Sequence, residues 1–156
     1  MTVLFSDIRG FTSMSEKMEP EEVVTFLREY LTEMTEAVFR HGGTVDKYIG
    51  DAIMALYNVP FEAADHPAQA VRTALEFQQR LEPLAERFAA KYGGSLRCGV
   101  GINTGDAVVG TIGSPIAPAT FASIGLSATG LSISPICRAS LTSFCREVLT
   151  LPGETP

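Results

Sequence analysis

Apolar positions along this chain follow two alternating rhythms. Residues 2–6 form a short, nearly continuous apolar run that ends at Asp7, the pattern of a buried strand. Steps of three and four residues then take over. Val23, Phe26, Leu27, Tyr30, Leu31, Met34 and Val38 fall on one face of an amphipathic helix. Glu19-Pro20-Glu21-Glu22 supplies its start, with proline tolerated in the first turn and acids near the positive end of the helix dipole. His41-Gly42-Gly43 closes it. Residues 44–48 and 52–57 read as two strands around Gly50-Asp51, a short glycine-containing link that fits a β-hairpin. A second helix is expected from His66-Pro67 to Gly93-Gly94, with Ala70, Val71, Ala74, Leu75, Leu81 and Phe88 on its apolar face. Pro83 is expected to kink it, because proline removes a backbone donor and clashes with the preceding turn. Residues 96–102 and 107–112 read as a further hairpin joined through Asn103-Thr104-Gly105-Asp106.

The resulting order is strand, helix, two strands, helix, two strands. That order predicts an α+β fold of ferredoxin-like (split βαβ) type, an antiparallel sheet with helices on one face. From Ser114 onward the texture changes to Ser, Thr and Pro, with Arg138, Arg146, Glu147 and Glu154 as the charged residues. No periodicity persists there beyond a weak helical signal over 139–151. The reading is therefore one domain over 1–113, incomplete at its C-terminus, followed by a divergent and poorly ordered tail over 114–156.

Composition narrows the picture. The 156 residues give room for one domain with a real core. A content of 46% hydrophobic and 19% charged residues argues for a globular protein. The net charge of -6 argues against a nucleic-acid-binding face, though not against a nucleotide that arrives with magnesium. Cys98, Cys137 and Cys145 are odd in number and lack zinc-like spacing, which fits reduced thiols in a cytoplasmic domain. No apolar run reaches the roughly 20 residues of a membrane span, and the N-terminus has no signal-peptide pattern. Met1 stands directly before the first strand, which suggests a domain cut from a longer protein or a mis-assigned start.

Two acidic blocks carry the candidate chemistry. Asp7 closes an apolar run in Phe5-Ser6-Asp7-Ile8-Arg9-Gly10-Phe11-Thr12, and Asp51 opens another after Asp46-Lys47-Tyr48-Ile49-Gly50. Either aspartate alone reads best as a turn or cap residue. As a pair, separated by enough chain for the intervening helix, they can meet on neighbouring strands and ligate hard divalent cations. Gly10-Phe11-Thr12 offers a turn whose amides can face phosphate oxygens. Lys47, four residues before Asp51, is either a solvent-facing hairpin lysine or part of the site.

Together these blocks resemble the catalytic domain of class III nucleotidyl cyclases, the adenylate and guanylate cyclases. The block Gly99-Val100-Gly101-Ile102-Asn103-Thr104-Gly105-Asp106-Ala107-Val108-Val109-Gly110 resembles the family's later hairpin, so the resemblance covers about residues 2–113. It implies that Asp7 and Asp51 bind two ions, Mg2+ or Mn2+, with the Ile8 carbonyl as a further ligand. It implies that amides at Phe11 and Thr12, beside Gly10, contact phosphates, and that Lys47 reads the purine and favours ATP over GTP. The implied reaction is cyclisation of ATP to 3′,5′-cyclic AMP with loss of pyrophosphate. The implied assembly is a head-to-tail homodimer or heterodimer with another cyclase domain, the metal aspartates of one chain facing the lysine of the other. A diguanylate cyclase shares the fold type, but the second hairpin lacks a Gly-Gly-Asp-Glu-Phe-like turn.

The family continues with (Tyr/Phe)-Thr-x-Ile-Gly-Asp-x-Val-Asn-x-x-x-Arg. Here the nearest match is the segment from Phe121 to Ile133. Aligned on Ile124-Gly125, Ala122 falls at a second base-reading position, Thr129 replaces the asparagine and Ile133 replaces the arginine. Isoleucine neither donates a hydrogen bond nor carries charge. Loss of such a transition-state pair costs about 10² to 10⁴ in rate. The expectation is thus a weak or inactive adenylate cyclase domain. The alternative is a non-catalytic module that binds nucleotide or pairs with a competent partner. The abrupt change at a motif boundary points to a shifted reading frame or a damaged gene copy. Translating the gene's other two frames beyond residue 113 is expected to recover the Gly-Asp-x-Val-Asn-x-x-x-Arg block; two frames without it would overturn the shifted-frame reading and favour a variant domain.

Overall fold

The computed structural model describes residues 1–110, 122–127 and 130–131. Its elements run β1 (Thr2–Ile8), α1 (Phe11–Ser15), α2 (Pro20–Arg40), β2 (Thr44–Ile49), β3 (Ala52–Tyr57), α3 (His66–Tyr92), β4 (Cys98–Thr104), β5 (Ala107–Gly110), β6 (Ala122–Ser127) and β7 (Gly130–Leu131). The first four strands form an antiparallel sheet in the order β2-β3-β1-β4, the split βαβ arrangement the sequence predicts. Among the described residues, no helix is long and apolar enough to cross a membrane.

The core lies between this sheet and helices α2 and α3. Leu4, Ile8, Ile53, Ala55 and Tyr57 meet Tyr30, Met34, Ala37 and Val38 from α2, and Ala70, Phe77, Leu81, Leu84 and Phe88 from α3. The predicted face of α2 is the buried one. On α3 the face differs by about one helical step: Val71 and Leu75 are exposed, and Thr73, Phe77 and Leu84 are buried instead. Spacing explains the correction, since Ala70, Thr73, Phe77, Leu81, Leu84 and Phe88 keep three- and four-residue steps while Val71 sits about 100° around the axis from Ala70. Helix α3 continues through Pro83 as one element.

Two expectations near the C-terminal half change. Strands β4 and β5 do not pair as a hairpin: β4 pairs with β1, and β5 pairs with β6 in a separate three-stranded sheet, β5-β6-β7. The cause is at Gly105, whose amide donates to the Met1 carbonyl (3.1 Å) and whose carbonyl accepts from the Met1 amino group (3.0 Å), so the β1–β4 ladder occupies the turn. Within the tail, β6 and β7 form strands where the sequence pattern suggested none. The weak helix expected over 139–151, Cys137, Cys145, Thr129 and Ile133 lie outside the described residues; Cys98 is a free thiol.

Ionic contacts tie α2 to α3 along their outer side. Lys91 pairs with Glu22 (2.5 Å), Arg87 with Glu29, and Arg80 with both Glu33 (2.7 Å) and Glu36 (3.1 Å). Arg80 also holds Glu76 (2.7 Å), which in turn accepts from His41 Nε2 (2.7 Å). Partial desolvation raises the Glu76 carboxyl, but bonds from Arg80 and His41 outweigh it and hold the group below its ordinary value of 4.5. Just past the C-terminal end of α2, Gly43 lets the chain turn under Tyr57: a Cβ there would meet the Tyr57 ring at 2.6 Å and Val38 at 2.8 Å. The Tyr57 hydroxyl donates to Thr73 Oγ1 (2.7 Å), and burial pushes its pKa up to about 12.

Two outcomes follow from this packing. Gly43→Ala is expected to destabilise the fold by about 1–3 kcal/mol in urea unfolding, because both neighbours belong to the rigid core. Glu76→Gln is expected to cost about 1–2 kcal/mol at neutral pH. Because folding lowers the Glu76 pKa, its contribution is complete above the ordinary value of 4.5 and is lost as pH falls through the folded value. Unfolding curves of wild type and Glu76→Gln should therefore converge in acid and separate above that point.

Candidate metal and nucleotide site

Strand β1 alternates its side chains between the two faces of the sheet. Leu4 and Ile8 point to the helical core, whereas Val3 and Phe5 join Ala52, Met54 and Leu56 on the opposite, open face. Asp7, two residues after Phe5, shares that open face and is half-buried. Its position at the end of β1 is fixed from both sides, by Ser6↔Ile53 on β3 and by Asp7↔Gly99 on β4.

Asp51 arrives through the β2–β3 hairpin. Gly50 takes a positive φ of 64°, which a two-residue link with glycine first requires, and Asp51 follows it. The Asp51 side chain is buried, with 6% of the residue exposed, and its Oδ2 accepts the Ile8 amide at 3.1 Å. This bond places the second carboxylate against the residue next to Asp7. The two blocks thus converge on one corner of the open face, as their spacing predicts.

The chain beyond Ile8 forms more structure than the flexible turn the sequence suggests. Gly10 adopts a left-handed conformation (φ 71°) and caps α1, whose first residues are Phe11 and Thr12. First-turn amides of a helix have no acceptor within it. The amides of Phe11 and Thr12 stand four and five residues beyond Asp7 and lie at the same end of β1. Phe11 anchors the turn by packing against the core.

Lys47 reaches the open face by a different route. The β2–β3 register steps from Val45↔Ala55 to Lys47↔Met54, a β-bulge that leaves Asp46 as the extra residue. Without the bulge Lys47 would oppose Ile53, on the helical side; with it, Lys47 opposes Met54, on the same face as Phe5 and Asp7. Two strand spacings, about 10 Å, separate β2 from β1. The geometry therefore groups Asp7, Ile8, Asp51 and the 10–12 turn, and sets Lys47 apart on the same face.

Two neighbours escaped the sequence reading. Arg9, two residues beyond Asp7 on the open face, lays its guanidinium against Gly99, where a Cβ would collide with it. The alternation of β1 was signal enough to find it. Asp46, whose side chain has no exposed surface, stands 3.1 Å from Lys47 Nζ. Its only mark in the sequence is a charge between Val45 and the strand residues that follow. Two carboxylates and a carbonyl form an oxygen donor set that suits a hard cation completed by phosphate and water. Among the described residues, no group of three or more His, Cys, Asp or Glu side chains adds to it.

Residues 1–118 match the family described as the adenylate and guanylate cyclase catalytic domain. The chain is 43% identical over 117 residues to an adenylate cyclase of Anabaena cylindrica, covering 72% of this chain and 22% of that protein. It is 40% identical over 114 residues to adenylate cyclase 1 of Rhizobium meliloti, covering 73% and 17% respectively. Its fold matches the crystal structure of the adenylyl cyclase CyaB from P. aeruginosa with a TM-score of 0.74 and 34% identity, over 80% of this chain and 64% of that one. It matches the guanylyl cyclase Cya2 with a TM-score of 0.72 and 40% identity, over 80% and 62%. The chain spans less than a quarter of the length of the two adenylate cyclases it matches. On the match over residues 1–118 and on these identities, the chain belongs to the family of adenylate and guanylate cyclase catalytic domains.

Proposed function

We propose that this chain supplies the metal-binding half of an adenylate cyclase site, which converts ATP to 3′,5′-cyclic AMP and pyrophosphate. The observation that carries the reading is the Ile8 amide bonded to Asp51 Oδ2 at 3.1 Å, which brings Asp51 beside Asp7. Asp7, Asp51 and the Ile8 carbonyl would hold two divalent cations, Mg2+ or Mn2+. Such ions, when bound, neutralise phosphate charge and acidify the attacking hydroxyl. The residues of the chain position the rest. Amides at Phe11 and Thr12 accept the phosphates into the turn capped by Gly10, and Lys47 offers N–H donors to the purine edge. The 3′-hydroxyl oxygen forms its bond to the α-phosphorus as the bond to the pyrophosphate oxygen breaks, with its proton passing to water. Rate then depends on alignment and on electrostatic stabilisation.

Lys47 and Asp7 stand on strands two spacings apart, about 10 Å sideways. The family resemblance supports a head-to-tail pair in which one chain's aspartates face the other's lysine, either as a homodimer or with another cyclase domain. The match to both adenylate and guanylate cyclases leaves the base to Lys47, whose N–H groups suit the adenine ring nitrogen. Thr129 and Ile133 stand where the family's motif has Asn and Arg. This favours low or no turnover by the chain alone, and a second reading as a partner that needs a competent domain to complete one site. A cytoplasmic setting would give the domain both ATP and magnesium.

Purified chain incubated with ATP and Mn2+ is expected to form little cyclic AMP alone and more when mixed with an active homologue whose own metal aspartates are removed. Full activity alone would overturn the reading of the tail; no rescue in the mixture would overturn the half-site. Asp7→Asn and Asp51→Asn are each expected to weaken Mn2+ binding, followed by electron paramagnetic resonance, by at least about tenfold. Unchanged Mn2+ affinity in both variants would place the metal elsewhere.

A further inference from the structure

We propose that Arg9 is a phosphate contact, whose guanidinium, seated on the bare backbone of Gly99, binds the polyphosphate of the nucleotide beside the metal corner. The inference rests on the reading of Asp7 and Asp51 as metal ligands. Arg9 directly follows β1, and its amide donates to the Arg97 carbonyl at 2.8 Å, which fixes where its side chain starts. The head of that side chain lies across β4. A Cβ built on Gly99 would stand 2.5 Å from Arg9 Cζ, 2.5 Å from its Nε and closer still to Nη2. The guanidinium thus fills the place that a side chain at position 99 would take. Gly99 is buried as a result, although Arg9 itself is exposed. The backbone at Gly99 is not left-handed, so what glycine contributes there is the missing side chain.

This seat adjoins the acidic corner. Asp7 opposes Gly99 directly across the β1–β4 ladder. Opposed residues of antiparallel strands keep their Cβ atoms about 5 Å apart, so the guanidinium stands within about 8 Å of the Asp7 Cβ. Asp51 approaches from the other neighbour of β1, at the start of β3, where its Oδ2 accepts the Ile8 amide. Across the sheet the order is therefore Asp51, Asp7, Arg9: two carboxylates and then a cation. A permanent cation beside metal carboxylates opposes the entry of a bare divalent ion. The same cation attracts an ion that arrives on a polyphosphate, whose net charge is negative. A guanidinium resting on one face keeps in-plane N–H groups for a partner, and their fork matches two phosphate oxygens. Arg9 thus favours the metal in its polyphosphate-bound form over the free ion, a choice that neither aspartate can make.

The test measures two affinities in each variant. Mn2+ alone is followed by electron paramagnetic resonance, and inorganic tripolyphosphate is titrated calorimetrically as its preformed Mn2+ complex. Arg9→Ala is expected to weaken the complex by about ten- to a hundredfold, the size of one charge-assisted contact. The same variant should bind Mn2+ alone about threefold more tightly, because a neighbouring positive charge has gone. Arg9→Lys should restore the Mn2+ affinity but only part of the affinity for the complex, since an ammonium lacks the fork. Gly99→Ala, which denies the guanidinium its seat, should also weaken the complex, and the double variant should be little worse than either single one. An Arg9→Ala variant that holds the complex as tightly as the wild type overturns the inference. So does one that loses Mn2+ and the complex together, the mark of a structural role. Neither result needs Gly99→Ala to fold. Wild-type protein that binds neither Mn2+ nor the complex overturns the metal reading and this inference with it, whereas intact Mn2+ binding with an unmoved complex removes Arg9 alone.

Discussion

The register of β1 is the constraint on which the rest depends. This strand is paired on both edges, Thr2↔Tyr57 through Ser6↔Ile53 on one side and Thr2↔Thr104 through Ile8↔Cys98 on the other. A slip of one residue would turn Asp7 under the helices and push Leu4 and Ile8 out of the core. Both ends of the strand resist such a slip. At the start, Met1 exchanges two bonds with Gly105, and the buried Thr2 hydroxyl lies 2.6 Å from His66 Nδ1 and 2.7 Å from Thr104 Oγ1. At the finish, the Ile8 amide is held by Asp51 and the Arg9 amide by the Arg97 carbonyl at 2.8 Å. The same hydrogen bond that brings the carboxylates together therefore also locks the central strand.

This division of labour runs through the whole sheet. Its helical face is a continuous apolar core that supplies stability, with Tyr30, Met34, Tyr57 and Phe77 almost wholly buried. Its open face carries a smaller cluster, Phe5, Ala52, Met54 and Leu56, to which Val109 of β5 adds. The acidic corner and Lys47 lie around that cluster. Rigid strands set both, so their spacing is not adjustable by loop movement. A bulge, a positive-φ glycine and a left-handed cap then make the local adjustments.

Most of this architecture is legible in the residues, and the exceptions share a cause. Helix α2 declares itself because apolar residues recur from Val23 to Val38 along its 21 residues, with an acidic start and a glycine stop. The β2–β3 hairpin is announced by Gly50. Helix α1 is hidden, since five residues are too few to establish a period. The bulge at Asp46 is hidden too: a one-residue shift in pairing is a property of two strands, and neither sequence alone records it. The false β4–β5 hairpin has the same origin. Asn103-Thr104-Gly105-Asp106 has turn chemistry, yet which strand β4 pairs with is settled by Met1 and β1, a hundred residues away in sequence. The two aspartates were readable as a pair because each ends or follows a strong local signal. The aspartate behind the lysine was not, because its partner is revealed only by the bulge.

Arg80 also constrains how the sequence can change by descent. One guanidinium serves Glu33, Glu36 and Glu76, carboxylates drawn from two helices. While it is present, three acids converge on a single cation; once it is gone, they face one another across the α2–α3 seam and repel. The effect of changing any one of these four residues therefore depends on which of the others remain. A lineage can drop the more exposed acids, Glu33 and Glu36, one at a time and lose little at each step. It can drop the arginine only after most of them have gone. The order of substitutions, and not merely their number, decides which descendants of this sequence still fold.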